Sequence, residues 1–389
     1  MYISRITLFK ISYILILIKS LVYNSYIAPD NNMALMTLFN YMALAFLVIE
    51  FLWKIPKEIK FIIVTLGLFA TFLYIYKLTK STDLILWVLF IVNSVGLNKA
   101  VILKWAYKIL IIGTTIIIVL NLFGFIEQYV LVKDGVVVKS YGFIHPNGLA
   151  TTILRIILLY FGLYYKKVTI PKLLFIAIAY IIIGRLTGCR TASFVLIMSI
   201  GLIVYSLINK EAFESRITLL LMTISPFIAA IFSFTGGYLF IQGNPGMQII
   251  NQLFSDRFNW IGRFLQNYSI TLFGQELQVI NRVQGGARWS SIDNSYVMMG
   301  LNYGMIFLFG YCLVIALLIF YYIKHNDKGK AISCFAFVLI GLTENQAFSI
   351  VNNFMLLYAG DVIYGKVFHN MSKNNSSTFE ENSSAIGES

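Results

Sequence analysis

The chain has 389 residues, 59% of them hydrophobic and 12% charged, about half the charged share of an ordinary soluble domain. That balance excludes a soluble globular protein. The net charge of +13 does not point to nucleic acid either, because the basic residues form short clusters between apolar runs, as cytoplasmic membrane loops do, rather than one polar face.

The first apolar run, 6–23, follows Arg5 and has no small-residue cleavage site after it, so it reads as a retained span rather than a signal peptide. Runs of spanning length follow at 33–53, 59–77, 82–98 and 104–124, each near the twenty residues that a bilayer core requires. Segment 125–146 holds β-branched runs on either side of Asp134-Gly135, the pattern of a small hairpin. Four more spans are expected at 147–165, 170–186, 190–208 and 216–235. The stretch 236–293 is far longer than a connection needs and is rich in aromatic residues, which predicts an ordered, functional outer loop. A span at 295–323 follows, and 331–365, interrupted by Glu344, Asn345 and Gln346, reads as two shorter helices meeting at a polar tip. The expectation is therefore an all-α integral membrane protein with about 10–12 spans, a membrane domain over 1–370 and a disordered cytoplasmic tail over 371–389. Cys189, Cys312 and Cys334 lie in or beside apolar runs without CxxC spacing, so they read as small buried side chains.

Lysines set the orientation. Lys54, Lys57 and Lys60; Lys99 and Lys104; Lys166, Lys167 and Lys172; Lys210; and Lys324, Lys328 and Lys330 fall in alternate loops, which places those loops and both termini in the cytoplasm. Lys77, Lys80, Lys133 and Lys139 depart mildly from this pattern. Arginine is distributed differently. Of 9 arginines against 21 lysines, only Arg5 and Arg216 sit at predicted inner ends. Arg155, Arg185, Arg190, Arg257, Arg263, Arg282 and Arg288 lie within spans or toward the outer side, where positive charge opposes the topological rule and needs another reason. A guanidinium grips phosphate or carboxylate through a planar fork and stays charged when partly desolvated, so the gathering implies an anionic ligand at the outer face. Arg185 and Arg190 read as a membrane-embedded pair, costly within a span and for that reason functional. Pairing with Asp256, Glu276 or Asp293 is the simpler role for Arg257, Arg263 and Arg282.

Three short motifs punctuate this plan: Gly142-Phe143-Ile144-His145-Pro146-Asn147-Gly148 opening one span, Gly188-Cys189-Arg190-Thr191-Ala192-Ser193 opening another, and Ser291-Ile292-Asp293-Asn294-Ser295-Tyr296 with Gly304 eleven residues after Asp293. Their order, together with the long loop before the third, resembles the Wzy-type polysaccharide polymerase and O-antigen ligase superfamily of bacterial envelopes. The resemblance implies transfer of a glycan from a polyprenyl diphosphate carrier to an acceptor hydroxyl, on the outer side of the bacterial cytoplasmic membrane, without metal or cofactor. It assigns Arg190, with Arg288 and Arg185, to the diphosphate. Asp293 stands where the ligases place histidine, and a carboxylate there can take the acceptor proton, which favours a polymerase over a ligase. Asp293 would also serve as a helix N-cap.

Weaker glycan contacts are expected from His145, Asn147, Asn294, Tyr296, Glu344, Arg257, Arg263 and Arg282. His145 beside Pro146 would serve equally at a helix start, and Glu344 could hold an arginine instead of a sugar. The implied partners are a polyprenyl-diphosphate-linked oligosaccharide, membrane lipids, a flippase and a chain-length regulator, with no nucleic acid. A ligase of finished glycan shares all three motifs. A transporter of the same lipid-linked sugar is the non-enzyme alternative; it would carry an internal repeat and a midplane polar path, and the sequence displays no such repeat.

Overall fold

A computed structural model describes residues 4–27, 33–53, 58–81, 83–133, 135–209, 211, 213, 215–277, 282–284, 287–289 and 292–365. The chain begins with α1 (Arg5–Tyr23), α2 (Met33–Trp53), α3 (Ile59–Thr79), the short α4 (Asp83–Ser94) and α5 (Lys99–Leu122). The hairpin expected near Asp134-Gly135 is present: β1 (Val130–Lys133) pairs antiparallel with β2 (Val136–Lys139), Val132 opposite Val137, and Gly135 supplies the positive φ that the turn needs. Next come α6 (Pro146–Tyr164), α7 (Ile170–Thr187), α8 (Arg190–Ile208) and α9 (Arg216–Ile241). The long connection that follows holds α10 (Pro245–Leu253), α11 (Arg257–Asn267) and a second hairpin, β3 (Arg282–Gln284) with β4 (Ala287–Trp289). The chain then forms α12 (Ser295–Met298), a π-helical turn over Met299–Tyr303, α13 (Met305–Lys324), α14 (Lys328–Gly341), a 3-10 turn over Phe354–Tyr358 and α15 (Ala359–Ile363).

The protein is predominantly helical, and nine helices among the described residues are long and apolar enough to cross a membrane. Their outward faces are apolar as well. On α7, Ile170, Leu174, Phe175, Ile178, Ile181 and Ile182 are all exposed, an arrangement that suits hydrocarbon and would be penalised in water.

The nine spans among the described residues fall below the expected 10–12 because three expected spans are too short. The run 82–98 folds as the 12-residue α4, about 18 Å long and short of a ~30 Å core, and the two limbs expected within 331–365, Lys328–Gly341 and Phe354–Ile363, are short as well. The run 295–323 keeps one span, α13, but is broken before it, because Gly304 adopts φ 91° and separates the π-helical turn from α13. The long connection expected from position 236 also begins later, since α9 continues to Ile241. The two helices meeting at a polar tip are as expected: α14 rises to Gly341, the chain turns irregularly through 342–353, and it returns as Phe354–Ile363. The tail over 371–389 lies outside the described residues.

Gly304 also accounts for the last position of the third motif. A side chain there would meet the Leu272 carbonyl at 2.3 Å and the Gly274 nitrogen at 2.4 Å. The close approach lets the carbonyls of Thr271 and Leu272 accept from the amides of Met305 and Ile306 at 3.0 and 3.1 Å, so a neighbouring strap caps the otherwise unpaired start of α13.

The lysine-bearing loops collect at one end of the bundle. There Arg5 pairs with Glu50 at 2.9 Å, Lys99 pairs with Asp361 at 2.5 Å, and Lys328 lies over the Phe213 ring. At the opposite end Ser25 bridges Phe143 and the Tyr26 amide donates to the Gly142 carbonyl. These are referred to below as the inner and outer ends, following the lysine rule.

Candidate functional site

Small residues on α9 decide where the site forms. A Cβ on Gly236 would lie 2.5 Å from the Phe258 ring, and one on Gly237 would lie 2.4 Å from the Ile261 side chain, so α11 seats directly on α9. This brings Arg257, the first residue of α11, inward to the tip. Its guanidinium donates to the Thr343 and Phe254 carbonyls and pairs with Glu344 at 3.1 Å. One turn earlier on α9, the Ser233 hydroxyl accepts from the Asn294 side chain at 2.9 Å.

The irregular tip would be costly to bury unless protein groups satisfied its backbone. Side chains from around the bundle do so. Asn294 donates to the Leu342 carbonyl, Arg257 to Thr343 and Ser295 to Glu344. Tyr311 and Asn353 donate to Ala347, Tyr13 to Ile350, and Arg155 to Val351 and to the Asn352 side chain. The tip is thus a fixed cradle, and Glu344 is held in it by design of the surrounding helices.

Two motifs distant in sequence meet at that carboxyl. Thr191, second residue of α8, hydrogen-bonds Glu344, and Asp293 is close enough for its charge to act on it. Burial pushes the Glu344 carboxyl up to about 7 from an ordinary 4.5; Asp293 reinforces the rise and the Arg257 guanidinium opposes it. The sign for stability follows. A carboxyl raised in the folded state favours folding fully below about 4.5 and loses that contribution as pH climbs to about 7. Thermal unfolding in detergent should therefore show stability falling between pH 5 and 7.5. Glu344→Gln should flatten that slope; an unchanged slope in the variant would assign the pH dependence elsewhere.

The remaining expected site residues divide. Arg190 opens α8 and is exposed, and Arg185 is exposed in the last turn of α7. The two flank the Gly188 turn, Arg185 in the last turn of one candidate span and Arg190 as the first residue of the next. Asn294 and Tyr296 were expected to touch glycan. Both are instead fully buried: Asn294 is the N-cap of α12, accepting from the Val297 amide, and the Tyr296 hydroxyl donates to the Val338 carbonyl. Their polar atoms are spent on the scaffold. The N-cap expected of Asp293 is therefore Asn294.

His145 is the N-cap of α6, its Nδ1 accepting from the Asn147 amide at 3.1 Å, and its ring stacks on Tyr129. Arg263 is exposed on α11, its guanidinium 4.7 Å from the centre of the Trp260 ring. Arg282 and Arg288 stand in β3 and β4, Arg282 opposite Trp289 and Arg288 opposite Val283; their side chains lie outside what is described. Thr191 and Arg155 are additions. Thr191 stood inside a quoted motif without a role, and Arg155 had no signal beyond being an arginine inside a span.

No protein-family model matches the chain, and neither a curated protein nor a solved structure matches it at a significant level.

Proposed function

We propose that this is a membrane glycan polymerase, joining oligosaccharide units carried on polyprenyl diphosphate at the outer side of the bacterial cytoplasmic membrane. The observation that carries this reading is the convergence of the second and third motifs on Glu344. The turn that brings Thr191 to the tip also presents the start of the 19-residue α8, whose dipole favours an anion. Beside it, Asp293 precedes α12 at the junction with the outer loop.

In the reaction, an acceptor sugar hydroxyl attacks the anomeric carbon of the donor glycan. The new glycosidic C–O bond forms as the bond to the diphosphate breaks, and the lipid diphosphate departs with the electron pair. Asp293 takes the hydroxyl proton. Arg190 and the α8 terminus meet the increasing negative charge on the leaving group, where an oriented donor contributes most. Glu344, tied to Arg257 and Thr191, fixes the geometry between the two motifs.

Arg190→Lys tests this assignment, because a compact ammonium keeps the charge but loses the fork. The variant should reach normal membrane levels and form almost no polymer. Near-normal chain length would mean that Arg190 acts only as a point charge, and the diphosphate role would fall.

A further inference from the structure

Between α3, α4 and α13 runs an apolar groove of about 390 Å³. We infer that it holds the hydrocarbon chain of the lipid carrier, a methyl-branched polyisoprenoid; this rests on the function proposed above and adds the place of the substrate's tail.

Shape is the first argument. On α3 the lining extends from Val64 to Ile75, roughly 16 Å of helix, so the space is long and slender and suits a chain rather than a headgroup. Chemistry is the second. The groove's two hydroxyls are already engaged, Thr71 donating to the Gly67 carbonyl and Tyr311 to the Ala347 carbonyl, which leaves a lining suited to hydrocarbon and not to sugar or phosphate.

Two glycines are the third. Glycine in a membrane helix ordinarily lets a neighbouring helix approach closely, yet a Cβ on Gly67 or Gly310 would meet nothing within 4 Å. What they provide is lateral space in the groove, which methyl branches fill and a straight chain leaves empty.

Position is the fourth. The groove wall is continuous with the supports of the cradle: Trp87 packs on Phe348, Phe307 packs on Tyr303, Tyr303 packs on Phe348, and Tyr311 holds Ala347. A chain lying there has its head directed toward the segment that carries Glu344.

The test uses the full-length protein in nanodiscs and a polyprenyl phosphate with a diazirine in its chain. Irradiation followed by peptide mapping should place the label on the α3 and α13 segments around Gly67 and Gly310. Unlabelled polyprenyl phosphate should compete it away, and straight-chain phosphatidylglycerol at equal concentration should not. Gly67→Leu combined with Gly310→Leu fills the groove from positions where an added Cβ meets nothing within 4 Å, so that protein should fold normally and lose the mapped label. Label elsewhere, equal competition by the straight-chain lipid, or unchanged labelling in the filled variant each overturns the proposal. The two readings separate cleanly: glycan transfer without groove labelling removes the tail site alone, whereas groove labelling without transfer removes the polymerase and leaves a polyisoprenoid site.

Discussion

Asp293→Asn should fold, reach the membrane and bind lipid-linked substrate as the wild type does, and transfer glycan roughly 100-fold or more slowly, the usual range for removing a general base. The structure makes this substitution cleaner than the sequence alone implied. Asn294, not Asp293, caps α12, so loss of a helix cap does not confound the result. Asp293→His, which restores the residue of the ligases that the third motif resembles, should recover part of the rate. Long chains built at normal speed by the Asn variant would remove Asp293 from the chemistry and turn attention to Glu344 or His145. Rates should be read from purified protein, with protein level and substrate binding measured alongside.

The second large effect belongs to Arg257. Its side chain is 10% exposed and that of Glu344 13%, so once Arg257 is removed the Glu344 carboxyl protonates instead of staying charged in a largely dry setting. Arg257→Met then costs through the groups it leaves without a donor, the Thr343 and Phe254 carbonyls, at about 1–3 kcal/mol for each buried acceptor. Glu344→Gln alone should cost less, because a neutral side chain at that position no longer bears the desolvation that burial imposes. The double variant should lose less than the sum of the single losses, by roughly 0.5–3 kcal/mol, as coupled neighbours do. Simple additivity in thermal unfolding would show that the two side chains do not act as a unit and would weaken the case that they fix the motifs together.

Much of this fold could be read from apolar run length. Expected spans at 6–23 and 59–77 become Arg5–Tyr23 and Ile59–Thr79, because a hydrocarbon core demands about twenty apolar residues whatever their order. The same rule fails where tertiary contacts decide. Nothing local separates the run 82–98 from a full span, and nothing short of the Gly304 backbone marks the break in 295–323.

The site was legible in parts. The tip at Glu344 and the third motif announced themselves through polar residues in apolar surroundings. The Arg257–Glu344 pair joins positions 87 residues apart, and its existence depends on α11 seating on Gly236 and Gly237, which no spacing rule reveals. Asn294 and Tyr296 were misjudged for a related reason: polar side chains beside a motif look like ligands until the carbonyls of an irregular segment are found to need donors.

That need also explains Arg155. It is buried and donates to Val351 and Asn352, and its Nε has no hydrogen-bond partner. A cation in that position is costly, and what it secures is the return limb of the cradle.

The most direct measurement of the central claim is a reconstitution with two components. Purified protein in liposomes is given a polyprenyl-diphosphate-linked oligosaccharide, with no other enzyme, and the glycan length and released lipid diphosphate are followed together. The account predicts a ladder of lengthening chains, one lipid diphosphate released per linkage formed, and loss of both in Arg190→Lys and Asp293→Asn. Movement of intact lipid-linked oligosaccharide across the bilayer with no lengthening and no diphosphate release would contradict it, and would make the protein a carrier of this substrate instead of the enzyme that joins it.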